Sequence, residues 1–218
     1  MASTALNDEE ILEYFDTEES IKKNVKKLAD LIKSSEYTVV YTGAGVSTSA
    51  GIPDFRGPNG VWTLEDKGLA ANSQFHVDMP TLTHMAIKKL IDENVVKYLV
   101  SQNVDGLHIK SGVPHAKIAE LHGNTNKEFC KTCGKVYFRD FYTPRDSNKS
   151  SKDHRTGRLC DTCGTVLFDN IINFREMLPD TELNNAEMES KKCDLAIVLG
   201  TSMRYLKRNK IYKRLLIF

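Results

Sequence analysis

Apolar residues along the chain concentrate in short runs. Tyr37-Thr38-Val39-Val40-Tyr41-Thr42, Tyr98-Leu99-Val100-Ser101 and Cys193-Asp194-Leu195-Ala196-Ile197-Val198-Leu199 are rich in β-branched and apolar residues. Each is too short for a globular helix and ends in small or polar residues, so each predicts a buried strand. Between them the period changes. Ile21, Val25, Leu28, Leu31 and Ile32 recur at helical spacing behind Ser20, the expected cap. Thr81 is expected to cap a second helix running through Leu90-Ile91, with Met85, Ile87 and Leu90 inward. A weak helical signal, Ile11, Leu12 and Phe15, lies in the acidic first 20 residues. Residues 63–80 have no strong period and predict a loop with a short helix. The fold class is α/β: a parallel, Rossmann-like sheet with helices on both faces.

Polar residues cluster where these strands end. Ligands of open α/β sheets bind beyond the carboxyl ends of the strands, so loops 43–62 and 102–108 should face one crevice. Gly43 and Gly45, with Ala44 between them, permit a tight turn and let bare backbone approach a ligand. Ser47 to Ala50 are small enough to open a helix whose N–H groups would face a pyrophosphate. The dehydrogenase fingerprint is not met: Thr48 stands where a third glycine belongs, and residues 63–67 do not close a second strand. Instead the turn runs into Ile52-Pro53-Asp54-Phe55-Arg56-Gly57, a rigid loop with an acid, an aromatic and a base. Gln102, Asn103 and Asp105 offer amide and carboxylate groups suited to ribose hydroxyls and a carboxamide, although Asn-Val-Asp-Gly by itself is more often a turn. Residues 171–174 read as a further buried strand, and Gly200-Thr201-Ser202 as another small-residue turn.

Cys130-Lys131-Thr132-Cys133 and Cys160-Asp161-Thr162-Cys163 are two Cys-x-x-Cys knuckles with 26 residues between Cys133 and Cys160, each followed by a glycine. Four thiolates close a tetrahedral zinc shell with no position left for water, so one structural zinc is expected, with redox use of the pairs as the alternative. The hydrophilic stretch from Thr143 to Arg158 predicts a flexible loop of this zinc module. Cys193, before a strand, reads as a buried small residue.

With 218 residues, 40% hydrophobic and 27% charged, the chain suffices for one domain with a small insert. A net charge of +1 makes no global case for nucleic acid. The charge is unevenly spread. Seven acids and no base lie between Asp8 and Glu19, and after Asp194 only bases follow, from Arg204 to Arg214. Such a tail reads either as a nucleic-acid or import-receptor contact or as a solvated end. No run of 18 apolar residues predicts a membrane span, and Met1-Ala2-Ser3-Thr4 does not open like a signal peptide, so a reducing compartment without disulfides is expected.

The 20 positions from Gly43 to Trp62, GAGVSTSAGIPDFRGPNGVW, resemble the cofactor loop of the sirtuins, the NAD-dependent protein-lysine deacylases. The ending Gly-Pro-Asn-Gly-Val-Trp resembles the subclass that acts on chromatin, which implies a nuclear location and a histone or other nuclear substrate. Further matches are Pro80-Thr81-Leu82-Thr83-His84, Gln102 to His108, Glu120-Leu121-His122-Gly123-Asn124 and Gly200-Thr201-Ser202. The resemblance implies that Gly43, Ala44, Gly45, Ser47, Asp54, Phe55, Arg56, Trp62, Gln102, Asn103, Asp105, His122, Gly200, Thr201 and Ser202 contact NAD. His122 would be the catalytic base. Acyl oxygen would attack the ribose carbon bearing nicotinamide, and nicotinamide would leave. A ribose hydroxyl deprotonated by His122 would attack the resulting intermediate, and water would finally release free lysine and acyl-ADP-ribose. Asp54, Phe55 and Arg56 would shield the reacting carbon from water. His84 reads first as a helix histidine bonded to backbone.

Phe174 and Glu176 fall in the family's substrate segment, where Phe-Gly-Glu is usual and Arg175 here takes the glycine's place. In an extended, substrate-pairing backbone, Arg175 is tolerated only pointing away. The resemblance ends near Arg204. The implied organisation is an acidic segment at 1–20, a Rossmann-like NAD domain at 21–122 and 171–203, a zinc insert at 123–170 and a divergent tail at 204–218. That tail is expected to form a helix on the sheet, in place of a strand and its adenosine contacts. The competing readings are a catalytically impaired zinc protein of the same family and a mono-ADP-ribosyl transferase using the same site.

Overall fold

The structure is a computed structural model that describes residues 14–69, 79–143, 153–173 and 175–203. Helix α1 (Glu18–Ser34) leads into strand β1 (Thr38–Thr42). Its cap is Thr17, one turn earlier than expected, because the Thr17 hydroxyl accepts the Ser20 N–H at 3.2 Å. Leu28, Leu31 and Ile32 pack on the sheet, whereas Ile21 and Val25, in the first half of the helix, remain exposed. Beyond β1, two 3-10 turns (Ala44–Val46 and Thr48–Ala50) replace the α-helix expected there.

Helices α2 (Val61–Asp66) and α3 (Leu82–Asp92) precede strand β2 (Val96–Ser101). Thr81 caps α3 as expected, but Met85 faces out and His84 faces in. The one-turn helix α4 (Leu107–Lys110) and strand β3 (Ile118–Glu120) follow. Strands β4 (Lys127–Cys130), β5 (Val136–Phe138), β6 (Arg155–Leu159) and β7 (Val166–Asp169) come next, then helix α5 (Asp180–Lys192) and strand β8 (Leu195–Leu199). Strand β6 begins inside the stretch expected to be a loop, and no strand forms over 171–173.

The larger sheet has the order β3-β2-β1-β8, and every pairing in it is parallel. Side chains alternate between two cores. Val40, Leu99, Leu195 and Ile197 meet α1 and α3, while Val39, Tyr41, Val100, Ala196 and Val198 meet α5. Helix α5 escaped the apolar pattern because its inward face is largely polar. Only Leu183 and Ala186 are apolar there, and Ser190 and Glu189 receive the hydroxyls of Tyr41 and Tyr37. Cys193 is half-buried beside the same core.

The smaller sheet, β5-β4-β7-β6, is antiparallel. Among the described residues β8 is an edge strand, and the predicted tail helix lies outside them. No helix among those residues is long and apolar enough to cross a membrane.

Candidate active site and metal centre

Strand β1 lies between β2 and β8, so its carboxyl end is a switch point where three loops converge. The Gly43 N–H donates to Leu199 O at 3.1 Å, and the Gly45 N–H to Gly200 O at 3.0 Å. A Cβ on Gly43 would lie 2.6 Å from Gly200 O, and one on Gly45 would lie 2.8 Å from Gly200 Cα. The glycine turn is therefore bare first of all because two loops of the protein touch there.

Ser47, fully buried, joins the first loop to the second. Its Oγ donates to Asp105 Oδ2 at 2.7 Å and accepts from Asn103 Nδ2 at 3.2 Å. Asp105 Oδ1 accepts the Leu107 N–H at 2.9 Å, which fixes the turn ahead of α4. Asn103 Oδ1 is buried and has no protein donor. Beneath this trio His108 Nε2 lies 2.9 Å from Thr42 Oγ1, and its ring packs on His84 with centroids 4.5 Å apart. Burial, with the neighbouring His84, pushes His108 down to about 3; burial also lowers His84, against the opposing pull of Asp105. Both rings are thus neutral. His84 Nδ1 accepts the Thr81 N–H at 3.2 Å, as its backbone-bonded reading implied, and the Thr81 hydroxyl donates to Val46 O at 2.9 Å.

Gln102 links the third loop, donating from Nε2 to Thr201 Oγ1 at 2.8 Å. Its carbonyl oxygen lies 2.9 Å from His122 Nδ1. A carbonyl only accepts, so Nδ1 carries the proton and Nε2 is the basic nitrogen of the neutral ring. Burial lowers the His122 pKa, partly opposed by the Gln102 contact, so the base form persists further into acid than in an ordinary histidine. The chain turns immediately after it. Gly123 has φ 84°, and a Cβ there would lie 2.0 Å from Asn170 O. Ile172 N–H closes the other side, donating to His122 O at 3.0 Å.

Behind His122 is a buried polar layer in which Glu120 and Asn124 of the motif meet Asn126 and Glu182, which lie outside it. Asn124 Nδ2 donates to Glu120 Oε1 at 2.7 Å, Asn124 Oδ1 accepts the Asn126 N–H at 2.8 Å, and the Glu120 N–H donates to Glu182 Oε2 at 3.1 Å. Burial raises Glu120 to about 7, with Asn124 opposing. The available signal was a run of polar residues, Asn124-Thr125-Asn126, between apolar elements.

Asp54, Phe55, Arg56 and Trp62 lie together around the start of α2. Asp54 Oδ1 accepts the Gly57 N–H at 3.0 Å, Phe55 and Trp62 stack at 4.8 Å, and the Arg56 guanidinium lies 4.6 Å from the Trp62 ring centroid. Ser202 is exposed beside Thr201. Glu176 sits against the smaller sheet, and Phe174 lies outside the described residues. Arg175 has φ 71°, so the backbone is left-handed at this position rather than extended. The Arg175 side chain is exposed, as the outward-pointing reading requires, but what the glycine position answers to is a backbone conformation and not strand pairing.

The Sγ atoms of Cys130, Cys133, Cys160 and Cys163 all lie within 4.8 Å of one another, with Cys130–Cys163 at 3.4 Å and Cys133–Cys160 at 3.6 Å. A tetrahedron with Zn–S near about 2.3 Å has edges of about 3.8 Å, so the four sulfurs fit such an ion. Thr165 Oγ1 lies 3.1 Å from both Cys130 and Cys163 Sγ, and the Tyr137 hydroxyl 3.2 Å from Cys160 Sγ.

Residues 67–206 match the model of the Sir2 family. The NAD-dependent protein deacetylase SRT1 of Arabidopsis thaliana is 44% identical over 197 residues, covering 88% of this chain and 41% of that protein. Sirt6 of Drosophila melanogaster, also named an NAD-dependent protein deacetylase, is 44% identical over 205 residues, covering 88% and 62%. This chain therefore spans less than two thirds of the length of these curated relatives. A solved structure of Sir2 with a p53 peptide and NAD+ superposes with a TM-score of 0.62 at 30% identity, covering 88% of this chain and 85% of that one. The family model, the relatives and the fold agree, and the chain belongs to the Sir2 family.

Proposed function

We propose that the chain carries an NAD-dependent protein-lysine deacylase site, with residues 21–122 and 171–203 forming the NAD domain and 123–170 a zinc insert. The observation that carries this reading is His122, a neutral base with a fixed tautomer, next to the Ser47–Asn103–Asp105 cluster at the switch point. The residues fit NAD. Asn103 Oδ1 is a buried acceptor that a carboxamide N–H would satisfy, and an orphaned acceptor in such a place costs about 1–3 kcal/mol.

Gly43, Ala44, Gly45, Thr201 and Ser202 would line the phosphate and ribose path, and Gln102, Asn103, Asp105 and Ser47 the nicotinamide end. NAD, when bound, supplies a ribose carbon from which nicotinamide departs. His122 Nε2 takes a proton from a ribose hydroxyl while Nδ1 stays anchored on Gln102. The Asp54–Trp62 group supports the reading of this loop as a cover that keeps water out. The four cysteines would hold one structural zinc, and Glu176 would set the segment that receives the acyl-lysine. A nuclear setting and a histone-like substrate follow from the Gly57–Trp62 sequence.

The test is to incubate the protein with NAD and an acetyl-lysine peptide and follow products by mass spectrometry. The reading expects nicotinamide, free-lysine peptide and acetyl-ADP-ribose in equal amounts. NAD consumption with ADP-ribose left on the protein or peptide, and no free lysine, would replace it with the transferase reading.

A further inference from the structure

His154, just ahead of β6, lies between two carboxylates from different parts of the chain. Its Nδ1 is 3.0 Å from Asp169 Oδ1 at the end of β7, and its Nε2 is 2.9 Å from Glu176 Oε1. Carboxylate oxygens that already accept backbone N–H groups remain acceptors. Asp169 Oδ1 takes the Ile171 N–H at 3.0 Å, and Glu176 Oε2 takes the Asn173 N–H at 2.6 Å and Asn173 Nδ2 at 3.1 Å. Both ring nitrogens must then donate, and only the imidazolium has two N–H groups. A neutral ring would turn a lone pair toward one carboxylate.

The residues held by these carboxylates continue to the active site. Ile172 N–H donates to His122 O at 3.0 Å, one residue before Asn173. Strand β7, which ends in Asp169, begins three residues after Cys163. Contacts thus run from the metal-binding sheet to the backbone of the proposed base: Asp169 holds the Ile171 N–H directly, and the charged ring adds the tie from that sheet to Glu176 and Asn173.

We propose that the His154 imidazolium is a positioning residue: it clamps the backbone around Asn173 and Glu176 to the metal-binding sheet, and it releases that backbone when the ring loses its proton. The proposal rests on the deacylase reading only where it concerns substrate, because this backbone is the segment expected to receive the acyl-lysine. Burial opposes the charge, but Asp169 and Glu176 outweigh it and raise the His154 pKa; these are the ionisable groups that face the ring from β7 and from the loop before α5. A raised folded-state pKa means the stabilisation is complete below the unfolded value, about 6.5 for histidine, and is lost as pH rises through the folded value.

The experiment uses the full chain as wild type, His154→Gln and His154→Arg. Amide exchange, followed by NMR and corrected for intrinsic pH dependence, is read at Ile171, Ile172, Asn173 and Glu176 without NAD or peptide. Wild type should lose protection on the order of tenfold at these amides between pH 6 and pH 9. His154→Gln should show the unprotected rate at both pH values. His154→Arg, a permanent cation with several donors, should retain protection at pH 9. Zinc content and exchange in β4 should not change. With saturating NAD, KM for an acetyl-lysine peptide should follow the exchange pattern while kcat stays within about twofold.

Unchanged protection in His154→Gln overturns the clamp. So does a loss that spreads across the metal-binding sheet together with zinc, which would mark a merely structural histidine. Altered exchange with an unaltered KM overturns the positioning role. Wild-type protein that turns over no acyl peptide, but shows the predicted exchange pattern, overturns the deacylase reading and leaves the clamp standing.

Discussion

The two sheets of this protein are held together by different forces. The parallel sheet buries apolar side chains on both faces, with Val39, Tyr41, Val100 and Leu121 on one side and Val40, Leu99, Ile118 and Ile197 on the other. Among the described residues the antiparallel sheet has a much smaller core: its buried cluster is Cys130, Cys160 and Leu167, with Tyr137 against it. Elsewhere it depends on charge. Glu128, fully buried on β4, receives Arg139 Nε at 2.7 Å and Arg158 Nε at 2.9 Å. The contrast predicts that the larger sheet folds mainly by the hydrophobic effect and that the smaller depends on a metal at its four cysteines and on its ion pairs.

Metal removal is the strongest way to break that contrast. Binding of a structural zinc by folded thiolates contributes on the order of 10 kcal/mol to folding. Chelation, or Cys130→Ser, should therefore unfold β4–β7 while leaving the parallel sheet intact. Hydrogen exchange resolved by segment checks this, with elemental analysis expected to give one zinc per chain in the untreated protein. Equal loss of protection in both sheets would mean that they fold as one unit.

Glu128→Ala should come next, at about 3 kcal/mol, since it leaves two guanidiniums without their buried partner. This is the low end of the usual range because Arg139 and Arg158 side chains are 29% and 30% exposed. Denaturant unfolding of the metal-loaded protein measures it. A change below 1 kcal/mol would place the strength of the smaller sheet in the metal alone.

His122→Ala probes the other region. On the deacylase reading, loss of a general base should slow deacylation by on the order of 10²-fold, with zinc content unchanged. Near-normal turnover would remove His122 from the chemistry.

The smallest effect is expected at Arg175→Gly. A non-glycine residue in the left-handed region costs about 1–2 kcal/mol, offset in part by glycine's greater unfolded entropy. The substitution should stabilise the protein by about 1 kcal/mol, a rise of about 2–4 °C in the thermal midpoint. A lower midpoint would show that the Arg175 side chain makes contacts that outweigh its backbone strain.

Features governed by local rules could be read from the chain alone. Strands β1, β2 and β8 are legible because they are short apolar runs closed by small residues. Thr81 is legible as a cap, and the four cysteines as one ligand set, because their spacing restricts what they can do. Tertiary structure decided which polar groups would meet. Helix α5 carried no apolar period because it buries Ser190 and Glu189 against the tyrosine hydroxyls of β1 and its approach. Met85 faces out, against expectation, and His84 faces in because a buried imidazole that accepts the Thr81 N–H completes a cap that a thioether cannot. Gly45 is bare for Gly200, far away in the chain, and His154 meets Glu176 across two strands. A polar side chain's value depends on the partner that replaces its water, and that partner is chosen by the folded arrangement, not by its neighbours in sequence.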